Sequence, residues 1–426
     1  MKAEIPSRPH VVLVGAYGHV AGQFLEAARR HACEISFVHE PGKVTEAHRA
    51  LVERVIDVDD LANVAAVVKA ARQLHAEQPV NHVLSLTEFG VEPAAAIAEE
   101  LGIPTPVSRP VTETLRNKHR MREVLSTHPE LHVRSALCGG LEEALEAAER
   151  FGYPVIVKPD SAWGSLAVRR VDDEVALREA FDGVRDVDQA VLVEEFLTGP
   201  EYSIEAFSQA GTHQLVAVTA KAKLENFIEI GHVIPGVPRG TAAELAEVIG
   251  RFLDAVGLTD GNTHTEVIVT PAAGARIVES HSRPGGDSIP HLVELATGVR
   301  LGELALLAAI GRSDLPWNAD RSRGAAIAFW IGRPGTVESV PEFGKEVRER
   351  CVEINLPAEA GKRTTDVRHS FDRLGFVIGA AEDGERAFAL ARGVIEEHPV
   401  VIAPDQGEPD PSADLARVRR YARGQL

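Results

Sequence analysis

Cysteine is scarce in this chain of 426 residues, and long hydrophobic runs are missing. The three cysteines, Cys33, Cys138 and Cys351, lie far apart and form no CxxC pair, so neither a disulfide framework nor a zinc knuckle is supported. The first apolar run, at 11–14, is too short for the core of a signal peptide. No later run approaches the ~18 residues of a membrane span. We therefore expect a soluble protein of the reducing cytoplasm.

Positive charge is also in short supply. The chain has 45 Lys and Arg against 63 Asp and Glu, which gives a formal net charge of −18. This balance argues against the anionic backbone of a nucleic acid as the main partner, and no membrane partner is expected. Any anionic ligand must therefore be bound by a local cluster of cations. The length exceeds one ordinary core, and 44% hydrophobic residues are enough to fill two or three packed lobes.

The first lobe, expected over residues 1–110, alternates between strands and helices. The segments "HVVLVG", "EISFVHE" and "NHVLSL" are typical of buried strands, and helical periodicity separates them, which predicts a parallel α/β layer. The turn "GAYGHVAG" could hold a phosphate at a helix N-terminus or be purely structural, since its spacing is not GxGxxG. The segment "LGIPTPVSRP" has the composition of a lobe boundary.

Two further lobes follow, a central one over 111–192 and a C-terminal one over 193–426 that ends in a smaller α/β cap from about 311. In the C-terminal lobe, "EYSIEAFSQ", "QLVAVTAK", "NTHTEVIVT" and "ARIVESH" alternate with a period of two and adjoin turn residues. This pattern predicts an antiparallel sheet.

The last two of these strands form a hairpin around a Pro/Gly turn. If the turn is 271–274, paired residue numbers sum to 545. The pairs are then Thr270 with Ala275, Ile268 with Ile277, Glu266 with Glu279, His264 with His281, and Asn262 with Arg283. Facing carboxylates lie about 5 Å apart at Cβ and repel each other unless a cation neutralises them. Mg²⁺ prefers oxygen ligands and usually keeps waters and substrate phosphates as its other ligands.

The alternative is that each glutamate lies on a solvated sheet face beside a neighbouring Arg or Lys. Two facing glutamates next to an Arg-Pro-Gly-Gly turn favour the metal site, with Glu266 and Glu279 as ligands. His264 and His281 could equally be polar neighbours, and a zinc site built on histidines is disfavoured by the oxygen ligands.

These residues resemble the ATP-grasp superfamily, specifically its carboxylate-amine ligases and the L-amino acid ligases that make dipeptides, over roughly residues 80 to 310. The resemblance implies an ATP-grasp fold with an N-terminal α/β lobe, a central lid lobe and a C-terminal antiparallel lobe. It implies ATP and Mg²⁺ (or Mn²⁺) as cofactors and a homodimer.

The resemblance also implies roles for individual residues. Lys118 and Lys158 would face the ATP phosphates, and the loop "SAWGS" would cover them with Ser161, Gly164 and Ser165. The hinge "VLVEEFLTGPEYSIE" would hold adenine and ribose through Glu194, Glu195, Phe196 and Glu201. The segment "ENFIEIGHVIP" would place Glu229 and His232 near phosphates and substrate, and "RPGGD" would supply Arg283. Trp163 departs from the pattern, because smaller residues are common in that loop.

Transfer of a γ-phosphoryl group needs positioning and charge neutralisation rather than a nucleophilic side chain. Arg283 suits the negative oxygens of an acyl phosphate and of the adduct that an amine forms with it. Gly285 and Gly286 allow the backbone to approach the ligand closely.

Other residues are candidates for contact with substrate. Asp287 either caps the helix "SIPHLVELATG" or holds the ammonium group of the amine. Glu88 either reaches the substrate or is a solvated strand end, and Trp330 and Arg333 are a possible substrate wall.

The sequence thus predicts an ATP-dependent ligase that joins a small carboxylate, such as an amino acid, to an amine through an acyl phosphate. The products are an amide or dipeptide, ADP and phosphate, and the partners are small molecules. The alternatives are a purine-pathway or carboxylase-like ATP-grasp activity, or a nucleotide-binding protein without catalysis.

Overall fold

The computed structural model describes residues 8–161, 166–312, 323–367 and 369–404. The N-terminal lobe contains β1 (His10–Val14), α1 (Gly18–Arg30), β2 (Glu34–His39), α2 (Glu46–Arg49), β3 (Arg54–Asp57), α3 (Val64–Glu77), β4 (His82–Leu84) and α4 (Glu88–Leu101). Its strands pair in the order β3-β2-β1-β4, and every pairing is parallel. Every residue of β1 is buried, as expected for a parallel strand covered on both faces. The predicted parallel layer is confirmed.

The central part of the chain contains α5 (Arg109–Arg116), α6 (Lys118–Leu125), β5 (Ser135–Cys138), α7 (Leu141–Phe151), β6 (Val155–Pro159), β7 (Arg169–Val171), α8 (Glu174–Arg185) and β8 (Val191–Glu195). The strands form an antiparallel sheet in the order β5-β8-β6-β7. Helices α7 and α8 bury Ala148, Leu177 and Phe181 against it. Helices α5 and α6 pack instead with the C-terminal lobe, because Leu115 and Met121 share a core with its strands and with its helix Arg239–Ala255.

The C-terminal lobe contains β9 (Glu201–Gln209), β10 (Thr212–Lys223), β11 (Glu229–Ile234), α9 (Arg239–Ala255), β12 (Gly261–Thr270), β13 (Gly274–His281), α10 (Ile289–Thr297) and α11 (Leu301–Ala309). The following segment contains β14 (Gly324–Trp330), β15 (Gly335–Ser339), α12 (Lys345–Arg350), β16 (Glu353–Asn355), β17 (Arg363–Thr364), a 3₁₀ turn (Ser370–Asp372), β18 (Gly375–Ala381), α13 (Gly384–Glu397) and β19 (Val401–Ala403).

The segment expected as a cap continues the main sheet of the C-terminal lobe. That sheet has the antiparallel order β13-β12-β9-β10-β11-β14-β18-β16, and a small sheet β17-β15-β19 lies apart from it. Helix α11 also joins the core of the N-terminal lobe, where Leu306 packs with Phe24 and Leu25 of α1. The lobes are therefore linked by shared apolar cores, while the boundaries at 110, 192 and 311 stay predictions. Within the described residues, no helix has the length and apolar character needed to cross a membrane.

The β12–β13 hairpin has the predicted register only near its site end. Glu266 pairs with Glu279 and His264 with His281, as predicted. A register shift follows Glu266, so the remaining pairs are Val267 with Ile277, Ile268 with Arg276, Val269 with Ala275, and Thr270 with Gly274.

The predicted pairs of Thr270 with Ala275 and of Ile268 with Ile277 are therefore wrong, because the turn is one residue tighter and a β-bulge compensates for it. The pairing of Asn262 with Arg283 is also wrong. Strand β13 ends at His281, and the side chain of Asn262 donates to the carbonyl oxygen of Leu301 at 3.0 Å.

Candidate nucleotide and substrate site

Two cavities meet at the facing glutamates. The large cleft, about 790 Å³, lies between the central and C-terminal sheets and is lined by Lys118, Arg122, Lys158, Glu194, Glu195, Phe196 and Glu201, among others. The inner cavity, about 470 Å³, lies between the N-terminal and C-terminal lobes and is lined by Glu88, Glu229, His232, Arg283, Gly286 and Asp287, among others. Glu266 and Glu279 line both cavities. A ligand in one cavity can therefore react with a ligand in the other at this carboxylate pair.

A buried charge cluster forms the floor of the large cleft. Lys158 Nζ lies 2.6 Å from Glu194 Oε2, and Arg122 Nε donates to Glu194 Oε1 at 2.8 Å. Burial would raise the pKa of Glu194, but the charges of Arg122 and Lys158 outweigh it and lower the pKa to about 2. Burial lowers the pKa of Lys158, with Glu194 opposing the shift. Because two cations share one carboxylate, this part of the cleft carries net positive charge suited to phosphate.

Lys118 lines the large cleft and is the first residue of α6. Asp160, directly after β6, accepts from the side-chain amide of Asn117 and from the backbone N–H of His119, both at 2.8 Å. These bonds fix the helix terminus beside the strand that carries Lys158. Lys118 Nζ lies 3.2 Å from Glu279 Oε2. The two lysines predicted from the motifs are thus brought together by one aspartate.

Arg122 is a site residue that the motifs did not reveal. Its Nη1 and Nη2 donate to the carbonyl oxygens of Ile277 at 3.0 Å and Val278 at 2.7 Å, on the edge strand β13. The signal was available, because positions 118 and 122 lie on one face of a helix. Arg122 therefore ties α6 to the strand that carries Glu279.

The hinge residues of the cleft have protein partners as well. Glu195 Oε2 accepts from Arg134 Nε at 2.8 Å, and the guanidinium of Arg170 lies 4.6 Å from the centre of the Phe196 ring. Glu201 Oε1 lies 3.0 Å from Lys221 Nζ. All four predicted hinge residues, Glu194 included, line the large cleft.

Lys221 of β10 is a second residue that the sequence reasoning missed. Its side chain is 3% exposed, and its Nζ lies 2.6 Å from Glu266 Oε1 and 3.2 Å from Glu229 Oε1. Burial opposes its charge, but Glu266, Glu201 and Glu229 raise its pKa well above the usual value. Lys221 remains a cation and holds Glu266 in place.

The facing pair Glu266 and Glu279 has the donor set of a hard divalent cation. Each carboxylate has a lysine partner, Lys221 for Glu266 and Lys118 for Glu279, and the charge of that partner lowers its pKa despite burial. In the described parts of the chain, no group of three or more His, Cys, Asp or Glu side chains forms a metal cluster. Two carboxylates fit a Mg²⁺ that takes its remaining ligands from water and phosphate. Each glutamate also has the neighbouring lysine that the alternative interpretation expected, Lys221 for Glu266 and Lys118 for Glu279.

Glu88 reaches the inner cavity from the N-terminal lobe and contacts Arg283. Thr87 caps α4 and places Glu88 at its first turn. Glu88 Oε2 accepts from Arg283 Nε at 2.9 Å and lies 2.8 Å from His281 Nδ1, and Glu88 Oε1 accepts from Arg116 Nε at 3.2 Å. Burial opposes ionisation, yet these cations hold the pKa of Glu88 well below its usual range. Glu88 is thus not a solvated strand end, and its carboxylate already has cationic partners in the protein. It orients Arg283.

Glu205 orients the turn that carries Arg283. It is fully buried, its Oε1 bonds to His264 Nδ1, and its Oε2 accepts from the backbone N–H of Gly285 at 3.0 Å. A Cβ on Gly285 would lie 2.7 Å from His264 Nδ1, which explains the glycine. Burial opposes protonation of His264, but Glu205 raises its pKa to about 9.

Asp287 does not cap α10, so that prediction is wrong. The N-cap is Ser288, without a side-chain cap bond, and both residues have positive φ, 51° and 60°. Asp287 Oδ2 instead accepts from Arg373 Nη1 at 2.8 Å and lies 3.0 Å from His232 Nε2, while Oδ1 accepts from Arg373 Nη2. Burial would raise the pKa of Asp287, but the charge of Arg373 lowers it.

Other candidates have protein partners of their own. Glu229, expected near phosphates and substrate, lines the inner cavity and accepts from Ser370 Oγ at 3.0 Å. The backbone N–H of Ser161 donates to Asp188 Oδ2 at 2.9 Å. Trp163, Gly164 and Ser165 lie outside the described residues.

The expected substrate wall of Trp330 and Arg333 belongs to the packing of the cap segment. Trp330 is 3% exposed and donates to the carbonyl oxygen of His398 at 3.1 Å, and Arg333 donates to that of Ile402 at 2.7 Å. Neither is among the described residues that line the two cavities. In the glycine-bearing turn after β1, Tyr17 and Gly18 line the inner cavity.

Comparison with known families identifies the class. Residues 151–290 match an ATP-grasp domain, and residues 25–105 match an ATP-grasp N-terminal domain. The alanine–anticapsin ligase of Bacillus subtilis (strain 168) is 24% identical over 346 residues, which cover 69% of this chain and 73% of that protein. The chain therefore contains an ATP-grasp domain with its N-terminal companion, and it resembles the carboxylate-amine ligases.

Solved structures show the same fold. The L-amino acid ligase from Bacillus licheniformis superposes with a TM-score of 0.79 at 22% identity, covering 93% of this chain and 99% of that one. The biotin carboxylase domain of the Hydrogenobacter thermophilus 2-oxoglutarate carboxylase, solved with MgADP and bicarbonate, superposes with a TM-score of 0.70 at 17% identity, covering 92% and 90%. The predicted ATP-grasp fold and the resemblance to L-amino acid ligases are confirmed.

Proposed function

We propose that the protein is an ATP-dependent ligase that activates a small carboxylate, such as an amino acid, and joins it to an amine. The main observation behind this proposal is that the two cavities meet at Glu266 and Glu279. The large cleft, on one side, contains Lys118 and Lys158, and the inner cavity, on the other side, contains Arg283. In this proposal, a nucleotide phosphate and a substrate carboxylate would meet at the two glutamates. The resemblance to a ligase that joins alanine to anticapsin supports the reaction type.

ATP occupies the large cleft in this proposal. Glu194, Glu195, Phe196 and Glu201 hold the base and ribose end, and Lys118 and Lys158 contact the phosphates. Glu266 and Glu279 hold a divalent cation, Mg²⁺ or Mn²⁺, which would neutralise charge on the phosphates. Lys118 already pairs with Glu279 and Lys158 with Glu194, so the phosphates share each lysine with a carboxylate.

The reaction proceeds in two displacements. A carboxylate oxygen of the acid, held at Arg283, attacks the γ-phosphorus, and the bond to the β-phosphate oxygen breaks to release ADP. The amine then attacks the carbonyl carbon of the acyl phosphate and loses a proton, and the C–O bond to phosphate breaks. Arg283 stabilises the negative oxygen that develops in both steps. Glu88 and Glu205 keep Arg283 in position.

The identity of the spent nucleotide tests this proposal. With a competent acid, we expect ADP and phosphate, and hydroxylamine in place of the amine should give a hydroxamate in proportion to ADP. Arg283→Met should lower the hydroxamate yield by ~100-fold or more. AMP and pyrophosphate as the main products would overturn the mechanism, as would absence of turnover with every acid of an amino-acid panel.

We also expect a homodimer, as the resemblance implies, which light scattering would check. The three cysteines are free, which fits the cytoplasm.

A further inference from the structure

A turn contributed by the segment after β14 reaches into the inner cavity and ends at Arg373. The guanidinium of Arg373 lies 3.7 Å from the centre of the Phe329 ring and pairs with both carboxylate oxygens of Asp287. Its Nε donates to the carbonyl oxygen of Ser370 at 2.6 Å, and its Nη1 also donates to that of Glu229 at 3.3 Å. The side chain is 8% exposed. Each nitrogen of the Arg373 guanidinium therefore donates to a protein oxygen.

A smaller pocket of about 240 Å³, which we call the outer pocket, adjoins the inner cavity at this point. Its apolar lining is Ile327, Phe329, Leu374 and Phe376. The outer pocket and the inner cavity share Asp287, Ser288, Ser370, Phe371 and Arg373. These shared residues form the wall between the two spaces, and Arg373 is the longest side chain among them.

The charges of the wall are satisfied within the protein. The guanidinium of Arg373 makes four hydrogen bonds to protein oxygens. Asp287 has Arg373 and His232 as partners. A substrate carboxylate or ammonium would have to displace the ion pair of Asp287, whose side chain is 27% exposed, with the buried Arg373, which is costly. The wall therefore limits space rather than binding a charged substrate group.

The acid is the substrate that meets this wall. Arg283, at which the proposed function places the acid carboxylate, and Asp287 belong to the same turn. Arg283, Asp287 and Arg373 all line the inner cavity. A side chain on the α-carbon of the acid therefore extends into the cavity that the Asp287–Arg373 pair bounds.

We propose that Arg373, anchored by Asp287, sets the size of the acid substrate, which is an amino acid with a small side chain such as glycine or alanine. The outer pocket is closed to the native substrate because the Arg373 side chain fills the passage. This inference rests on the proposed function, and it makes Arg373 a specificity-determining residue.

The test varies only the acid, with hydroxylamine as the common amine and hydroxamate as the product. Glycine, alanine, leucine and phenylalanine are compared in the native enzyme and in the double variant Asp287→Asn/Arg373→Ala. The double variant leaves no buried charge unpaired, and asparagine tolerates the positive φ of position 287. One methylene of pocket space typically changes kcat/KM by 10-fold or more. We therefore expect the leucine-to-alanine ratio of kcat/KM to rise by roughly tenfold or more in the double variant.

Two matched variants separate size from charge and from general damage. The double variant Asp287→Asn/Arg373→Met keeps most of the side-chain bulk without leaving a charge unpaired, and it should keep the preference for small acids. Arg333→Ala removes an arginine of the same segment that bonds to Ile402 and should leave the preference unchanged. An equal shift in Asp287→Asn/Arg373→Met, an unchanged ratio in Asp287→Asn/Arg373→Ala, or a native enzyme that uses leucine as well as alanine would each overturn the proposal.

Calorimetry separates this inference from the proposed function. Alanine and leucine are titrated into native and Asp287→Asn/Arg373→Ala protein with a non-hydrolysable ATP analogue and Mg²⁺. Gain of leucine binding in the double variant supports the wall even if no hydroxamate forms, in which case the proposed function alone fails. If hydroxamate forms with the same leucine-to-alanine ratio in both proteins, the role of Arg373 in specificity is refuted and the proposed function stands. Absence of binding and of turnover refutes both proposals.

Discussion

Arg283 is positioned by carboxylates from two lobes, which makes its geometry dependent on residues that are far away in sequence. Glu88 belongs to the first turn of α4 and holds Arg283 Nε at 2.9 Å, while Glu205 of β9 holds the backbone of Gly285. Glu205 is fully buried, and the Glu88 side chain is only 11% exposed. The guanidinium of Arg283 is therefore held in position by the protein before the substrate binds.

Glu88→Gln should lower turnover without weakening nucleotide binding. The amide removes the charge that orients Arg283, and a misplacement of about 1 Å can cost ~100-fold in rate. Glu88 lines the inner cavity, so the affinity for an ATP analogue, measured by calorimetry, should stay within about threefold of the native value.

Glu99→Gln at an exposed position of α4 is a matched control that should behave as the native protein. Native kcat in Glu88→Gln would show that Arg283 does not depend on Glu88.

The sequence identified site residues where a local motif carries them and missed those defined by strand order. Lys118, Lys158, Glu279 and Arg283 stand in recognisable contexts, and the structure brings them together. Lys221 was missed because its partner Glu266 lies on β12, two strands away in the order β12-β9-β10, which no local pattern reveals. Arg373 was missed for a related reason, since its partner Asp287 is 86 residues away.

At the scale of elements, the β12–β13 hairpin carries the carboxylate pair at the edge of the sheet. The bulge after Glu266 lets the register remain correct at the site while the turn is one residue tighter than predicted. Alternation by twos predicts which residues share a face, but it cannot predict an inserted bulge residue. The parallel sheet was easier to predict, because each of its strands is a short apolar run between helices.

Glu266→Gln and Glu279→Gln should each abolish turnover while leaving a cooperative fold. Each change removes one of the two carboxylates proposed to hold the divalent cation, and each leaves one lysine, Lys221 or Lys118, without a charged partner on the hairpin. Phosphate release and circular dichroism melts measure the two effects.

Glu247→Gln, on the exposed face of α9, is the control for both variants. If either hairpin variant kept near-native activity at ordinary Mg²⁺, the facing carboxylates would not be the metal site.

At the scale of the whole molecule, the site is assembled from all the lobes, and its carboxylates are kept ionised by buried cations. Glu88, Glu194, Glu266, Glu279 and Asp287 all have pKa values lowered by neighbouring cations against the opposing effect of burial. A group whose pKa is lower in the folded state stabilises that state above its unfolded pKa, and this stabilisation is lost as the pH falls through the folded pKa. Acid should therefore destabilise the lobes through the site itself.

Glu194 allows this effect to be isolated. Its pKa is about 2 in the folded protein, against about 4.3 in an unfolded chain, a difference equivalent to about 3 kcal/mol. Glu194→Gln cannot ionise, and it leaves Arg122 and Lys158 without their shared carboxylate. We expect the free energy of unfolding of the variant to lie about 3 kcal/mol below the native value at pH 7. The gap should close as the pH falls from about 4 towards about 2, because native Glu194 then becomes protonated as well.

Urea denaturation followed by circular dichroism at pH 7, 5, 4 and 3 measures the gap, with Glu247→Gln as the variant that should show none. A gap of the same size at every pH would mean that Glu194 stabilises the fold by its shape and hydrogen bonds, and that the cations of the cleft do not depend on its charge.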